Sequence, residues 1–494
     1  HYRSYGETQE YMRQKEIFMP TEFLHGLYDG GHGAGLKDYW DMMMANPRCA
    51  GGFLWDLMDQ GVVRTDKNNY VDCMGNFGAD GIVGPHAEKE GSYYTIKEVW
   101  CPVQLTWNDV EKGELTLSNQ YNFVNLKDCR FSYRLLQMPA MGSTQVKVLK
   151  QGNLSSPDVA PGKEAQVKIP MMANADAVEI KAVNHEGEEI MTWSRGVKSE
   201  ERRVKNSSAP STSSAAYADQ ADAVEVKAGG RTYRFAKKDG RLMGVEVGSK
   251  AISLSNGPRF MAARRSDRSL DQFYNHDDKE AEKKKTLYTE FVDQGAFAGF
   301  EWKEAEAKLV ATYQHGSLDE VDWQFLSDGS VAVTCHYNFG GVVDMMGMAF
   351  DYPESKVRSK AWVGNGPYRV WQNREQGPQY GYWQNDYNDP IPAESWDYPE
   401  FKGYFANVKW MQFKTDEGKI GFSGLTADEH MGVYTPRDGR DGLLYTLPQT
   451  GLAVFKVIPS VRNKVNTTDL NGPSALPKWL NGKGKTVFTL NFEL

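Results

Sequence analysis

Two short apolar segments carry side chains that could do chemistry. Pro20-Thr-Glu-Phe-Leu-His25 delivers one carboxylate, Glu22, with an imidazole, His25, three residues on. Ala50-Gly-Gly-Phe-Leu-Trp-Asp-Leu-Met-Asp-Gln60 delivers an indole, Trp55, at the end of an apolar run. A carboxylate can attack an acetal carbon or protonate its leaving oxygen. An imidazole can hydrogen-bond hydroxyls, and an indole offers a flat apolar wall. Such a set would furnish a sugar-cleaving pocket. Each residue also has a plainer reading: Glu22 in a salt bridge, His25 as a satisfied structural histidine, Trp55 as core. A buried carboxylate without a partner is expensive, so Glu22 is expected to be paired, partly wet or functional.

Other chemistries find less support. The run Gly30-Gly-His-Gly-Ala-Gly35 lacks the Gly-Lys-Ser/Thr ending of a P-loop and the Gly-x-Gly-x-x-Gly spacing of a dinucleotide fold. It reads as a tight turn before a helix. No Gly-x-Ser-x-Gly elbow and no His-Glu-x-x-His occurs. The five cysteines, Cys49, Cys73, Cys101, Cys129 and Cys335, include no Cys-x-x-Cys pair. That argues against a zinc ribbon or a disulfide scaffold and for small buried hydrophobes.

The elements that must position Glu22 and Trp55 lie in the first hundred residues. Residues 7–15 read as helix. Residues 17–23 form a short apolar run, as for a buried parallel strand, and residues 36–46 have helical spacing up to Pro47. A second apolar run, 49–57, follows, and residues 93–100 read as a further helix. Strand, loop, helix, strand over this distance matches one right-handed βαβ unit. Two strands cannot close a barrel, so the segment is expected to be the last piece of a larger α/β unit.

From Val103 the apolar period changes to two. Residues 103–107, 114–118, 130–136, 145–150, 164–169, 177–183 and 189–193 alternate apolar and polar, with turn residues between them. Seven short strands at this spacing predict an immunoglobulin-like sandwich. Residues 198–222, charged and then Ser/Ala-rich, read as a linker. Residues 223–494 carry strand after strand without helix or repeat, which favours a large two-sheet sandwich over a propeller. The polar insert 266–287 reads as an exposed loop or short helix.

Composition bounds the function. The net charge is −8 with no basic stripe, which argues against nucleic-acid binding. No apolar run approaches the ~18–20 residues of a membrane span. Aromatic residues make up 12%, with 13 Trp and 25 Tyr. That richness suits both sandwich cores and sugar platforms and decides between neither.

With these residues in view, segment 17–107 resembles the end of the catalytic barrel of glycoside hydrolase family 2, most closely its β-galactosidases. Glu22-Phe-Leu-His25 followed by Lys37-Asp-Tyr39-Trp40 resembles the strand-seven segment that carries the family's nucleophile. Gly51-Gly-Phe-Leu-Trp55-Asp56 with Asp59-Gln60 resembles strand eight, and Phe77-Gly-Ala-Asp80-Gly81 the loop after it. Trp362-Val-Gly364-Asn-Gly366-Pro367 resembles a segment of the family's last sandwich.

The resemblance implies a mainly β chain in four parts. Residues 1–101 would be the C-terminal part of a (β/α)8 barrel and 102–197 an immunoglobulin-like β-sandwich. Residues 198–222 would be a linker, and 223–494 a large galactose-mutarotase-like β-sandwich of the β-galactosidase small-chain type. It implies a retaining exo-β-glycosidase acting on terminal β-D-galactose, with Glu22 as nucleophile and Tyr2 hydrogen-bonded to it. His25, Trp55 and Asp80 would bind substrate. Phe77, through its backbone oxygen, and Asp80 would lie where some relatives bind sodium, although Asp80 stands where those enzymes have Asn.

The family's acid/base is the Glu of an Asn-Glu pair, and no Asn-Glu dipeptide occurs in the 494 residues. The chain is therefore expected to be a C-terminal portion, inactive alone and requiring no cofactor itself, with Na+ or Mg2+ belonging to the intact enzyme. The expected partners are an oligosaccharide or glycan and a further copy of the chain in a homo-oligomer. A periplasmic or secreted setting is favoured over a cytoplasmic one. The alternatives are a non-catalytic carbohydrate-binding protein and a relative cleaving β-glucuronides or α-L-arabinopyranosides.

Overall fold

The computed structural model describes residues 2–26, 32–73, 78–197, 215–265, 285–286, 288–290, 294–387, 403–434, 445–446, 448–466 and 468–494. The chain is mainly β, with three α-helices among the described residues, all before residue 100.

Helix α1, Tyr5–Met12, starts at Ser4, whose side chain accepts from the Glu7 N–H while Glu7 returns to the Ser4 backbone, a complete capping box. Helix α2, Leu36–Met44, buries Leu36, Tyr39 and Met43, the i, i+3, i+7 stripe of an amphipathic helix. Helix α3, Gly91–Val99, buries Ile96 and Val99 against the same cluster, which Met12, Phe23 and Leu24 complete.

The expected pair of parallel strands forms only in part. Phe18 pairs with Cys49 and Phe23 with Leu54, both parallel but as isolated bridges. A regular strand fails for local reasons. Pro20 has no N–H to give to a ladder, and Leu24 sits at φ 50°, outside the extended region. The sheet in this part is instead an antiparallel hairpin, Val62–Arg64 with Tyr70–Asp72. Parallel contacts and covering helices are present, but the described residues contain no parallel sheet here, and the expected partial barrel is not confirmed.

The second part is a sandwich of a three-stranded sheet (Val103–Asp109, Glu114–Asn119, Glu164–Lys168) and a four-stranded sheet (Lys147–Leu154, Arg130–Gln137, Ala177–Val183, Glu189–Gly196). Alternation does the work: Leu115, Leu117 and Asn119 point inward along Glu114–Asn119 while their neighbours are half-buried. Phe131, Tyr133, Leu135, Ile180, Met191 and Trp193 fill the space between the sheets.

The last part packs a ten-stranded sheet against a nine-stranded one. Trp323, Trp362, Phe235, Phe350, Phe422 and Phe488 lie between them, each no more than 1% exposed. Full burial of side chains this size stabilises by ~1.5–3 kcal/mol each. The longest pairing joins Val331–Val343 to Lys478–Glu493, antiparallel from Val331↔Leu490 to Val343↔Lys478. The segment expected as linker is not linker throughout: Ala216–Asp219 pairs with Ala223–Ala228 as the outer strand of the ten-stranded sheet. Residues 198–214, and most of the polar insert 266–287, lie outside the described residues.

None of the five cysteines is in a disulfide, and all but the half-buried Cys49 are buried. Among the described residues no helix is long and apolar enough to cross a membrane.

Candidate functional site

Five of the six side chains singled out from the sequence meet in one connected group. The Tyr2 hydroxyl donates to Glu22 Oε2, and the Tyr2 N–H donates to the Glu22 carbonyl at 3.1 Å. The Tyr2 and His25 rings lie 4.8 Å apart at their centroids. His25 Nδ1 stands 3.8 Å from Asp80 Oδ1, and the Trp55 indole acts on the Asp80 carboxyl, lowering its pKa. Phe77, the sixth, lies outside the described residues.

The backbone explains why these residues converge. The two parallel bridges align residues 18–23 with 49–54, and the Gly26 N–H then donates to the Trp55 carbonyl at 2.9 Å. Asp56 N–H donates to the Asp80 carbonyl at 3.0 Å, and Ile82 N–H to the Asp56 carbonyl at 3.0 Å, so the loop carrying Asp80 is laced to the Trp55 segment. The peptide between Trp55 and Asp56 is cis.

Glu22 is half-buried and lines a cavity of about 250 Å³ with Tyr2, Phe18, Pro20, Phe23, Tyr39 and Met43 among its walls. His25, Trp55 and Asp80 are not part of that lining; Trp55 is 37% exposed.

The electrostatics are set by burial. His25 is pushed down to about 4, first by burial and then by the Lys464 charge, against a hydrogen bond to the Gly26 carbonyl and the Glu22 charge. It is therefore neutral at pH 7, with Nδ1 donating to the Gly26 carbonyl at 2.9 Å. Asp80 is pushed up to about 6 by burial, while the hydrogen bond and charge of Lys464 pull it back, so it remains ionised at neutral pH.

Two residues that the sequence reading passed over belong to this group. Lys464, from the last sandwich, places Nζ 2.5 Å from Asp80 Oδ1 and donates its main-chain N–H to the His25 carbonyl at 3.1 Å. His32, fully buried, donates from Nε2 to the Trp55 carbonyl at 2.7 Å, and burial pushes it down to about 4. The signal for Lys464 was present as a polar run, Arg462-Asn-Lys-Val-Asn466, separated by four residues from the apolar strand Leu452–Val457. A polar run next to a core strand is either surface or a buried network, and here Arg462, Asn463, Lys464 and Asn466 are all buried.

Two packed sandwiches preceded by a helical segment define a class, that of mainly β, multi-sandwich proteins. The comparisons are more specific. Residues 227–454 match the family described as β-galactosidase small chain, and residues 115–193 match β-galactosidase, domain 4. A β-galactosidase of Oenococcus oeni is 19% identical over 504 aligned positions, covering 93% of this chain and 47% of that protein. A β-galactosidase of Priestia megaterium is 27% identical over 126 positions, covering 23% of this chain and 12% of that one. Among solved structures, a galactose 1-epimerase from Lactobacillus acidophilus is 8% identical with a TM-score of 0.31, covering 56% of this chain and 98% of that one. The chain is β-galactosidase-like, with a region matching domain 4 followed by a region matching the small chain. It spans about half the length of the Oenococcus oeni relative.

Proposed function

We propose that this chain is part of a retaining exo-β-glycosidase acting on terminal β-D-galactose, with Glu22 as the nucleophile. The observation that carries the reading is Glu22 itself: a carboxylate lining a cavity, with the Tyr2 hydroxyl on one oxygen. A phenol donating to a carboxylate orients it for attack on the anomeric carbon. The partner carboxylic acid of such a site stands about 5–5.5 Å from the nucleophile and protonates the leaving oxygen. It would come from a segment outside these residues, since the Asn-Glu dipeptide of the resembled family is absent from the sequence.

His25, neutral and buried, has its Nδ1 on the Gly26 carbonyl and its Nε2 suited to a sugar hydroxyl, and Trp55 supplies a partly exposed wall. The similarity to curated β-galactosidases supports a carbohydrate substrate. The steps would be attack by Glu22, departure of the aglycone with the proton of the partner acid, and hydrolysis of the glycosyl-enzyme by water.

The test is Glu22→Gln in the assembled enzyme with an aryl β-galactoside. Loss of the nucleophile is expected to lower kcat at least about 10³-fold while the protein stays folded. Undiminished turnover would remove Glu22 from its role.

A further inference from the structure

Asp80 stands where the resemblance puts a sodium ligand, and its surroundings can be tested against a metal ion. Its side chain is 5% exposed and that of Lys464 is 4% exposed, with Nζ 2.5 Å from Oδ1. The lysine is fixed at its other end as well, by its main-chain N–H on the His25 carbonyl. Around it, Asn463 Oδ1 accepts from the Val465 and Asn466 N–H groups at 3.1 and 2.6 Å, and Asn466 Nδ2 donates to the Tyr2 carbonyl at 3.2 Å. The ammonium therefore arrives on a braced loop rather than on a free surface side chain.

A metal ion on Asp80 Oδ1 would have to share that oxygen with the ammonium. Two cations a few ångströms apart in a buried site repel strongly because little water screens them. The residues present do not fit a metal ion at this oxygen.

We propose that the Lys464 ammonium is the resident cation of this site, built into the chain in place of a metal ion. It compensates the Asp80 carboxylate and fixes it 3.8 Å from His25 Nδ1. Lys464 is in this sense a positioning residue. Its effect on sugar binding rests on the glycosidase reading above, whereas its occupancy of the cation position does not.

The experiment titrates sodium chloride against choline chloride at constant ionic strength, following the ²³Na resonance and the thermal midpoint of the 494-residue chain. The unmodified chain is expected to show no saturable sodium broadening and the same midpoint in both salts. Lys464→Met is expected to unfold at a lower temperature in choline chloride, to recover part of the loss in sodium chloride, and to acquire a saturable sodium signal. A merely structural lysine would give the loss without the cation-selective recovery. Saturable sodium binding by the unmodified chain, or a folded Lys464→Met chain that takes no sodium, overturns the proposal. Should the variant fail to fold, the titration of the unmodified chain decides alone. No substrate enters this measurement, so its failure is distinguishable from failure of Glu22→Gln to abolish turnover.

Discussion

Asp59, four residues beyond Trp55, is a buried carboxylic acid. Its carboxyl is pushed up to about 7, burial first, with the Gly81 N–H pulling it back and the charges of Asp80 and Asp56 adding to the rise. The Gly81 N–H donates to Oδ1 at 2.7 Å. An acid whose folded pKa exceeds its unfolded value binds more protons when folded, so its contribution is fully present below about 3.8 and is lost as pH rises towards 7. Asp59→Asn keeps an oxygen for the Gly81 N–H and never ionises. Its stability relative to the parent should rise with pH between about 4 and 7, at up to ~1.4 kcal/mol per unit, and then level off. Denaturant titrations of both proteins across that range measure it; a pH-independent difference would contradict the assignment. At this scale the sequence is uneven. Glu22 is conspicuous because a carboxylate in an apolar run has few innocent explanations. Lys464 is not, because its partner Asp80 is hundreds of residues away and only the fold joins them.

At the scale of elements, helix α2 depends on the glycine before it. Gly35 has φ 75°, and a Cβ there would meet the Asn471 carbonyl oxygen at 2.2 Å. The helix thus starts directly under the segment that also supplies Ser474, whose N–H donates to Asp38 Oδ2 at 2.8 Å. Gly142 has a similar φ of 83° with nothing within 4 Å of its Cβ position. Gly142→Ala should cost only the backbone term, about 1 kcal/mol, and Gly35→Ala should cost clearly more because backbone must also move. Equal losses in urea titrations would show that the Asn471 contact is soft.

Element boundaries were legible where one face is wet. Alternation marked all seven strands of the smaller sandwich, and Ala177–Val183 runs over the residues it predicts. The same signal vanishes in Met345–Asp351, where every residue but the last is buried and nothing alternates. The opposite failure occurs at residues 17–23, where an apolar run suggested a strand but Pro20 and the positive φ of Leu24 leave isolated bridges.

At the scale of the whole molecule, the three parts are joined by contacts that no local pattern announces. Helix α3 is tied to the last sandwich through Glu98, which accepts from the Gly377 N–H at 2.7 Å, and through Thr95, which donates to the Gln376 carbonyl at 2.8 Å. The two sandwiches meet over a small apolar cluster of Leu136, Met138, Ala177, Val363, Tyr380 and Trp410. Polar contacts frame it: Ser194 donates to the Gln379 side chain and the Tyr380 carbonyl, and Lys409 Nζ lies 3.2 Å from Asp176 Oδ1. Trp410 stands at the centre, 4% exposed, with its indole N–H on the Pro139 carbonyl at 2.9 Å. Replacing it by Ala removes most of the cluster's apolar contact and leaves that carbonyl without its donor, at a cost of ~3–5 kcal/mol. Because the loss falls on the joint rather than on either core, Trp410→Ala should resolve the unfolding of residues 103–197 from that of the larger sandwich in a calorimetric scan. Trp479→Ala is the control, since that indole is 70% exposed and its loss should change stability by less than about 0.5 kcal/mol. A Trp410→Ala protein whose two sandwiches still unfold together, merely at a lower temperature, would place the coupling elsewhere, with the ties of helix α3 through Glu98 and Thr95 as the next elements to cut.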